Sequence, residues 1–129
     1  MIEHGYLLDA SAALAVIFGE PGADRVLALS NDPRICSVNL AEVIAKQHDR
    51  SVSARNIALN VIDLGAEVVP FDARMALRSG ELRPLTRAFG LSLGDRACLA
   101  AAQVMSLTVV TADRAWSNLD IGIKIEVIR

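Results

Sequence analysis

The feature of the sequence that most constrains the fold is an apolar run near the N-terminus that contains a single carboxylate. Residues 6–18 are almost entirely apolar, and Asp9 is the one charged residue among them. The run is too long for one buried strand, so we predict a buried strand ending at Asp9, a turn, and a buried helix from about Ser11. A carboxylate that follows a buried parallel strand lies where α/β folds bind ligands. The alternative is that Asp9 or Ser11 caps the helix, because both residue types are favoured N-caps.

Length and composition indicate a single domain spanning residues 1–129. Apolar residues make up 53% of the chain, enough to build a core. The net charge of −2 lacks the basic excess of a general nucleic-acid binder. Cys36 and Cys98 lie in apolar segments without metal-ligand spacing, which favours buried free thiols over a disulfide. Neither a secretion signal nor a membrane-spanning stretch is recognisable, so we expect a soluble cytoplasmic protein that does not engage a membrane.

Strand and helix patterns alternate along the rest of the chain. Apolar, β-branched segments predict strands at 34–38, 67–71, 108–111 and 123–128. Periodic segments predict helices at 23–30, 39–49, 53–64, 72–78, 96–105 and from 112, with a break at Gly80 and Pro84. Asn39 with Glu42, and Ser92 with Asp95, have the spacing of capping boxes. The alternation predicts an α/β fold whose mainly parallel sheet is covered by helices on both sides.

Four acids occur where strands give way to helices or where a helix begins. Asp9 and Asp113 follow strands, whereas Glu42 and Asp95 lie in the first turns of helices. Each could simply favour a helix dipole, by about 0.3–1 kcal/mol. In a parallel sheet, however, all strand-to-helix junctions lie on one edge, so these carboxylates should converge. A partly desolvated cluster of this kind needs counter-charge, and oxygen-only ligands suit Mg²⁺ or Mn²⁺.

A cation held by carboxylates on an open edge would bind phosphate oxygens and activate water for attack on a phosphodiester. Ser11 and Thr111 stand two residues from Asp9 and Asp113, where their hydroxyls could hydrogen-bond a carboxylate or serve only as local caps. The segment 74–96 is rich in arginine. Arg96 and Arg114 could position a phosphate backbone, although a solvated helix face explains the same pattern.

The acidic positions and their surroundings resemble the motifs of PIN-domain ribonucleases, in particular the VapC-like toxins of bacterial type II toxin–antitoxin pairs. The resemblance covers essentially the whole chain. The four matching segments are LDASA at 8–12, NLAEV at 39–43, LSLGDRACLA at 91–100 and TADRAW at 111–116. One such motif is weak alone, whereas four in order at suitable spacing form a specific pattern.

The resemblance implies a three-layer α/β/α fold with a five-stranded parallel sheet in the order 3-2-1-4-5. It implies a Mg²⁺- or Mn²⁺-dependent endoribonuclease toxin that cleaves single-stranded or structured RNA and inhibits translation. Asp9, Glu42, Asp95 and Asp113 would be its catalytic residues, with Asp9, Asp95 and Asp113 binding the metal. It also implies a homodimer and a cognate VapB-like antitoxin that blocks the site.

Two other functions are compatible with parts of the pattern. A catalytically idle PIN-like module would keep the carboxylates and act through its partner. A phosphotransfer domain would use Asp9 as the acceptor, but an aspartate-nucleophile phosphatase needs a second Asp two residues later, where this chain has Ser11. A receiver domain needs paired early acids, which are absent here.

Overall fold

The computed structural model describes residues 5–29 and 32–129. The strands are β1 (Tyr6–Leu8), β2 (Arg34–Cys36), β3 (Glu67–Val69), β4 (Thr108–Thr111) and β5 (Ile125–Val127). In these residues they form one five-stranded sheet in the order β3-β2-β1-β4-β5, and all four neighbouring pairs are parallel. The expected PIN-like strand order and three-layer α/β/α architecture are therefore confirmed.

Helices connect the strands and cover the sheet. Over the described ranges the α-helices are α1 (Ala10–Phe18), α2 (Ala23–Leu29), α3 (Ser37–Asp49), α4 (Ala54–Leu64), α5 (Ala73–Thr86) and α6 (Leu93–Met105). Short 3₁₀ helices cover Arg87–Phe89 and Arg114–Asn118. The end predicted for the second helix, Ser30, lies outside the described residues. None of the helices described is both long and apolar enough to cross a membrane.

The central strand β1 is buried on both faces of the sheet. Successive strand residues point to opposite faces, so Leu7 and Leu8 enter different apolar clusters. Leu7 packs in one cluster with Leu82 of α5 and Leu99 of α6. Leu8 packs on the other side in a cluster that includes Val43 of α3. Both leucines are completely buried, which explains why the run at 6–18 is apolar without alternation.

Helix α3 begins earlier than predicted, and the capping box predicted for Asn39 and Glu42 is wrong. Cys36 is the N-cap residue, and it makes no side-chain capping bond. Asn39 is therefore the third residue of the helix, where its side chain is free to bond elsewhere. The Ser92–Asp95 capping box at the start of α6 is confirmed in both directions. Ser53 and Asp72 also cap their helices as predicted.

Helix α5 continues through Gly80 and Pro84, where the sequence pattern predicted a break. A proline inside a helix removes one hydrogen bond, and its ring clashes with the carbonyl four residues earlier, which here belongs to Gly80. The helix also buries Met75, Ser79, Leu82 and Thr86, which recur at helical spacing. Packing of this face therefore outweighs the local penalty of the proline.

If α5 is continuous, substitutions of Leu82 and Leu85, on either side of Pro84, should change the free energy of unfolding by different amounts. Leu82 is completely buried, whereas Leu85 is 58% exposed. We expect Leu82→Ala to lower the free energy of unfolding by about 2–5 kcal/mol, through lost burial and a cavity. Leu85→Ala, the matched control, should change it by less than about 0.5 kcal/mol. Urea denaturation followed by circular dichroism measures both, and equal losses would contradict the continuous helix.

Candidate active site

The four acids predicted to converge line one open cleft at the carboxyl edge of the sheet. Its volume is about 490 Å³. Asp9 follows β1, Glu42 lies on α3, Asp95 on α6, and Asp113 follows β4. We call this space the acidic cleft; its lining is Asp9, Ala10, Ser11, Leu14, Glu20, Glu42, Lys46, Ser92, Asp95, Asp113, Trp116 and Arg129. Parallel pairing places the strand ends together, so the shared edge follows directly from the topology.

Asp9 is the most buried acid of the cleft, with 5% of its surface exposed. It is the N-cap of α1, and its Oδ1 accepts a hydrogen bond of 2.8 Å from the amide of Ala12. Ser11 Oγ donates to the same oxygen at 2.7 Å, and Thr111 Oγ1 donates to Oδ2 at 2.5 Å. Capping and cleft lining are therefore simultaneous roles of Asp9, while Ser11 lies within the helix and supports Asp9.

Backbone amides that follow β4 fix the direction in which the hydroxyls of Ser11 and Thr111 donate their hydrogen bonds. The amide of Ala112 donates to Ser11 Oγ at 2.9 Å, and the amide of Asp113 donates to Thr111 Oγ1 at 3.1 Å. Each hydroxyl thus accepts from an amide and uses its own proton for Asp9. Both oxygens of Asp9 are consequently tied to the end of β4, about a hundred residues away in the sequence.

Burial raises the pKa of Asp9 from 3.8 to about 6, because the charged form loses hydration. The hydrogen bonds from Thr111, Ala12 and Ser11 favour the carboxylate and act in the opposite direction. The negative charge of Asp95 adds a further increase. Ionisation of the Asp9 carboxyl is therefore less favourable than in water, and a nearby cation would offset this cost.

Asp95 and Asp113 are more accessible and also take part in helix capping. Asp95 Oδ2 accepts a hydrogen bond of 3.0 Å from the amide of Ser92, and Asp113 Oδ1 accepts one of 2.9 Å from the amide of Ala115. Within residues 5–29 and 32–129, no hydrogen bond reaches the second oxygen of either carboxylate. Each acid therefore combines a local role with an oxygen available to the cleft.

Glu42 enters the cleft from α3 and touches the start of α6. Its Oε1 accepts a hydrogen bond of 2.8 Å from Asn39 Nδ2, which also donates to the carbonyl of Gly94 at 3.1 Å. Glu42 is half-buried. The Asn39 side chain thus links α3, which carries Glu42, to α6, which carries Asp95.

The donor atoms of the acidic cleft fit a hard divalent cation. Its side-chain donors are carboxylate and hydroxyl oxygens, and the lining given above includes no histidine or cysteine. Among the described residues, no three acids, histidines or cysteines are close enough to ligate one ion as they stand. Side-chain rotation, to which the exposed Asp113 offers least resistance, is therefore needed for the carboxylates to close around an ion.

Two cations of the cleft were missed in the sequence, and the two predicted arginines lie elsewhere. Lys46, one helical turn after Glu42, and Arg129 both line the cleft. Arg96 instead donates to the carbonyl of Ser79 on α5 at 3.2 Å, and Arg114 donates to the carbonyl of Arg129 at 2.9 Å. The spacing of Lys46 from Glu42 was a usable signal, whereas Arg129 reaches the cleft only through the tertiary fold.

The two cysteines are free and buried, as predicted. Burial raises the pKa of both thiols, and it does so strongly for Cys98, on which Asp9, Cys36 and other acidic groups also act. Cys36 and Cys98 belong to the same apolar cluster. Their properties are those of core side chains rather than nucleophiles.

Several solved structures share this fold. VapBC2 from Rickettsia felis bound to a DNA fragment from their promoter has a TM-score of 0.75 at 22% identity, covering 94% of this chain and 96% of that chain. DNA-bound VapBC from Salmonella typhimurium has a TM-score of 0.75 at 24% identity, covering 98% and 100%. The Sarcin-Ricin loop cleaving toxin VapC20 of Mycobacterium tuberculosis has a TM-score of 0.74 at 16% identity, covering 88% and 93%.

Sequence comparison is more specific than the likeness in fold. None of the curated proteins matches the chain. The family model described as PIN domain matches residues 6–122, which include all four acids of the cleft. The chain therefore belongs to the PIN-domain family.

Proposed function

We propose that this protein is a metal-dependent endoribonuclease and the toxin of a VapC-like toxin–antitoxin pair. The observation that carries the proposal is the convergence of four acids from separate segments on one cleft, with desolvated Asp9 among them. Membership of the PIN-domain family and the similarity in fold to VapBC toxins support the same conclusion. The reaction would be hydrolysis of phosphodiester bonds in RNA, with inhibition of translation as its consequence.

In this proposal Asp9, Asp95 and Asp113 bind Mg²⁺ or Mn²⁺, and Glu42 completes the catalytic set and adds a fourth carboxylate charge to the metal site. The ion, when bound, supplies Lewis-acid activation of a phosphodiester and of the attacking water. Ser11 and Thr111 hold both oxygens of Asp9 in place. Asp113 is exposed, and the oxygen that does not accept from the Ala115 amide is available to an incoming ion.

The partners proposed are an RNA substrate, a cognate VapB-like antitoxin and a second copy of the chain. The antitoxin is supported by the fold neighbours, two of which are VapBC complexes. An antitoxin would inhibit by covering the acidic cleft, where a basic side chain would satisfy the carboxylates. The RNA target proposed is tRNA, rRNA or mRNA.

Phosphate positioning is assigned to Lys46 and Arg129 in place of Arg96 and Arg114. Both cations line the acidic cleft. Arg129 is held by a hydrogen bond of 3.1 Å from its Nη1 to the carbonyl of Pro21. Arg96 does not line the cleft and instead lies against α5, where it donates to the carbonyl of Ser79, so it suits a structural role better than contact with RNA.

A catalytically idle binding module is the second candidate, and one observation favours it. The described acids, histidines and cysteines do not form a group of three at ligating distance. Titration with Mn²⁺ separates the two functions. Heat of binding to the wild-type chain that is lost in Asp95→Asn supports the nuclease, whereas RNA binding that ignores divalent cations, without metal binding, supports the idle module.

The proposed nuclease makes a direct prediction for Asp95→Asn. The amide oxygen can still accept from the Ser92 amide, so the capping interaction and the fold should survive. We expect Mg²⁺-dependent RNA cleavage and growth inhibition to fall by at least about 100-fold, as for removal of a group that acts on the reacting centre. Cleavage of total RNA by the purified protein measures the loss of cleavage. Growth of cells that express the protein, with new RNA 5′ ends mapped, measures the loss of growth inhibition.

Asp72→Asn is the matched control, because Asp72 also caps a helix but does not line the acidic cleft. Its activity and stability should equal those of the wild type. Undiminished Mg²⁺-dependent cleavage by Asp95→Asn would exclude the nuclease assignment for this cleft.

The raised pKa of Asp9 predicts how the metal-free protein responds to pH. Because the folded-state pKa of about 6 exceeds 3.8, folding favours the protonated form. Stability is therefore lost as pH rises from about 4 to about 6, by roughly 3 kcal/mol in total. Asp9→Asn lacks this loss, so in chelator its stability relative to wild type should increase with pH. Urea denaturation at pH 4, 5, 6 and 7.5 measures the difference, and a constant difference would contradict the pKa shift.

Lys46→Ala tests the proposed phosphate contact. We expect KM for single-stranded RNA to rise several-fold with little change in kcat, and the slope of log binding constant against log salt to fall by about one contact. Lys124→Ala is the control, because Lys124 lines a separate cavity with residues of α6 and β4. Equal effects of the two substitutions would indicate a general charge effect instead of a contact in the cleft.

A further inference from the structure

Asn39 occupies a buried position that its helix does not require. Its side chain is 1% exposed, and its Nδ2 donates to both Glu42 Oε1 and the Gly94 carbonyl. Its Oδ1 is buried and finds no hydrogen-bond partner among the described residues. An unpaired buried acceptor destabilises a protein, and asparagine is a weaker helix former than alanine. The two hydrogen bonds donated by Nδ2 therefore account for asparagine at position 39, and a contribution to the stability of the protein does not.

Gly94, like Asn39, is a residue that its helix does not require. It lies in the first turn of α6 with a φ angle outside the left-handed region, so its backbone does not require glycine. A Cβ at this position would lie 2.6 Å from Cδ of Glu42 and 2.8 Å from its Oε2. Glu42 therefore occupies the space that any side chain at position 94 would fill.

We propose that Asn39 and Gly94 are positioning residues that hold the Glu42 carboxylate in the acidic cleft beside Asp95. Gly94 provides the space, and Asn39 provides the hydrogen bond that fixes one oxygen of Glu42 and joins it to α6. This inference deepens the proposed function and rests on it. It concerns two uncharged residues that lie within the motif segments 39–43 and 91–100 beside the acids themselves.

The need for such a clamp follows from the electrostatics of the cleft. Glu42 faces other carboxylates, and its flexible side chain has a better partner nearby. Lys46 lies four residues later on the same helix, the spacing at which glutamate and lysine pair on a helix surface. Without Asn39 and Gly94, repulsion from Asp95 and attraction to Lys46 would both move the carboxylate away from α6. The clamp opposes this movement before any ion is bound.

Gly94→Ala is the sharpest test, because it should separate stability from function. The Cβ displaces only the end of a flexible side chain, and alanine favours the helix, so the thermal midpoint in chelator should stay constant or rise. Binding of Mn²⁺ alone, measured by calorimetry, should weaken about 10-fold. The value of kcat for RNA should fall by a similar factor, while KM changes little.

Asn39→Ala should also weaken Mn²⁺ binding about 10-fold. Gln47→Ala is its control, because Gln47 is an equally buried amide of α3 whose side chain instead bonds Val43 and Asn60. Gln47→Ala should lower the thermal midpoint but leave the Mn²⁺ affinity unchanged. If both variants lose Mn²⁺ affinity equally, Asn39 acts through general stability and the clamp is excluded.

Glu42→Gln distinguishes failure of the clamp from failure of the proposed function. If the clamp acts through Glu42, adding Gly94→Ala to Glu42→Gln should cause no further loss of Mn²⁺ affinity or kcat. Additive losses, or normal Mn²⁺ binding by Gly94→Ala when Glu42→Gln is impaired, would overturn the clamp and leave the nuclease intact. A wild-type protein that neither binds Mn²⁺ nor cleaves RNA would overturn the proposed function, and the clamp with it.

Discussion

The buried carboxylate of Asp9 is held in place by hydrogen bonds that join the two central strands. The arrangement of the cleft depends on these hydrogen bonds. Ser11 and Thr111 each accept a hydrogen bond from a backbone amide after β4 and donate one to Asp9. The end of β1, the start of α1 and the end of β4 are therefore one hydrogen-bonded unit. The helices that carry the other acids are positioned around this unit by the sheet.

Capping and cleft formation are compatible uses of the same carboxylates. Asp9, Asp95 and Asp113 each accept a hydrogen bond from a backbone amide at a helix start. Those bonds fix the carboxylates at the carboxyl edge of the sheet, where a ligand would approach. Three of the four acids are therefore helix caps, as their positions in the sequence indicate. Their convergence on one cleft follows from the parallel strand order of the sheet.

The sequence was most informative where local pattern and tertiary structure agree. The apolar run at 6–18, the alternation of strands and helices and the four acids were sufficient for the fold class and the location of the cleft, whereas the strand order came from the resemblance to the family. Prediction failed at α5, where packing of the buried face maintains the helix through Gly80 and Pro84. It also failed at Asn39, whose spacing from Glu42 imitates a capping box. Arg129 joins the cleft only through the fold, which no local pattern reports.

The order of the acids along the chain has a consequence for synthesis. Asp9 and Glu42 lie in the first third of the sequence, whereas Asp95, Asp113 and the amides that orient the two hydroxyls lie in the last third. The central strand β1 also lacks one of its two neighbours until β4 exists. A chain that is still being translated therefore cannot bring the four acids together until residue 113 has left the ribosome. The order of the acids along the chain thus delays assembly of the cleft until late in synthesis.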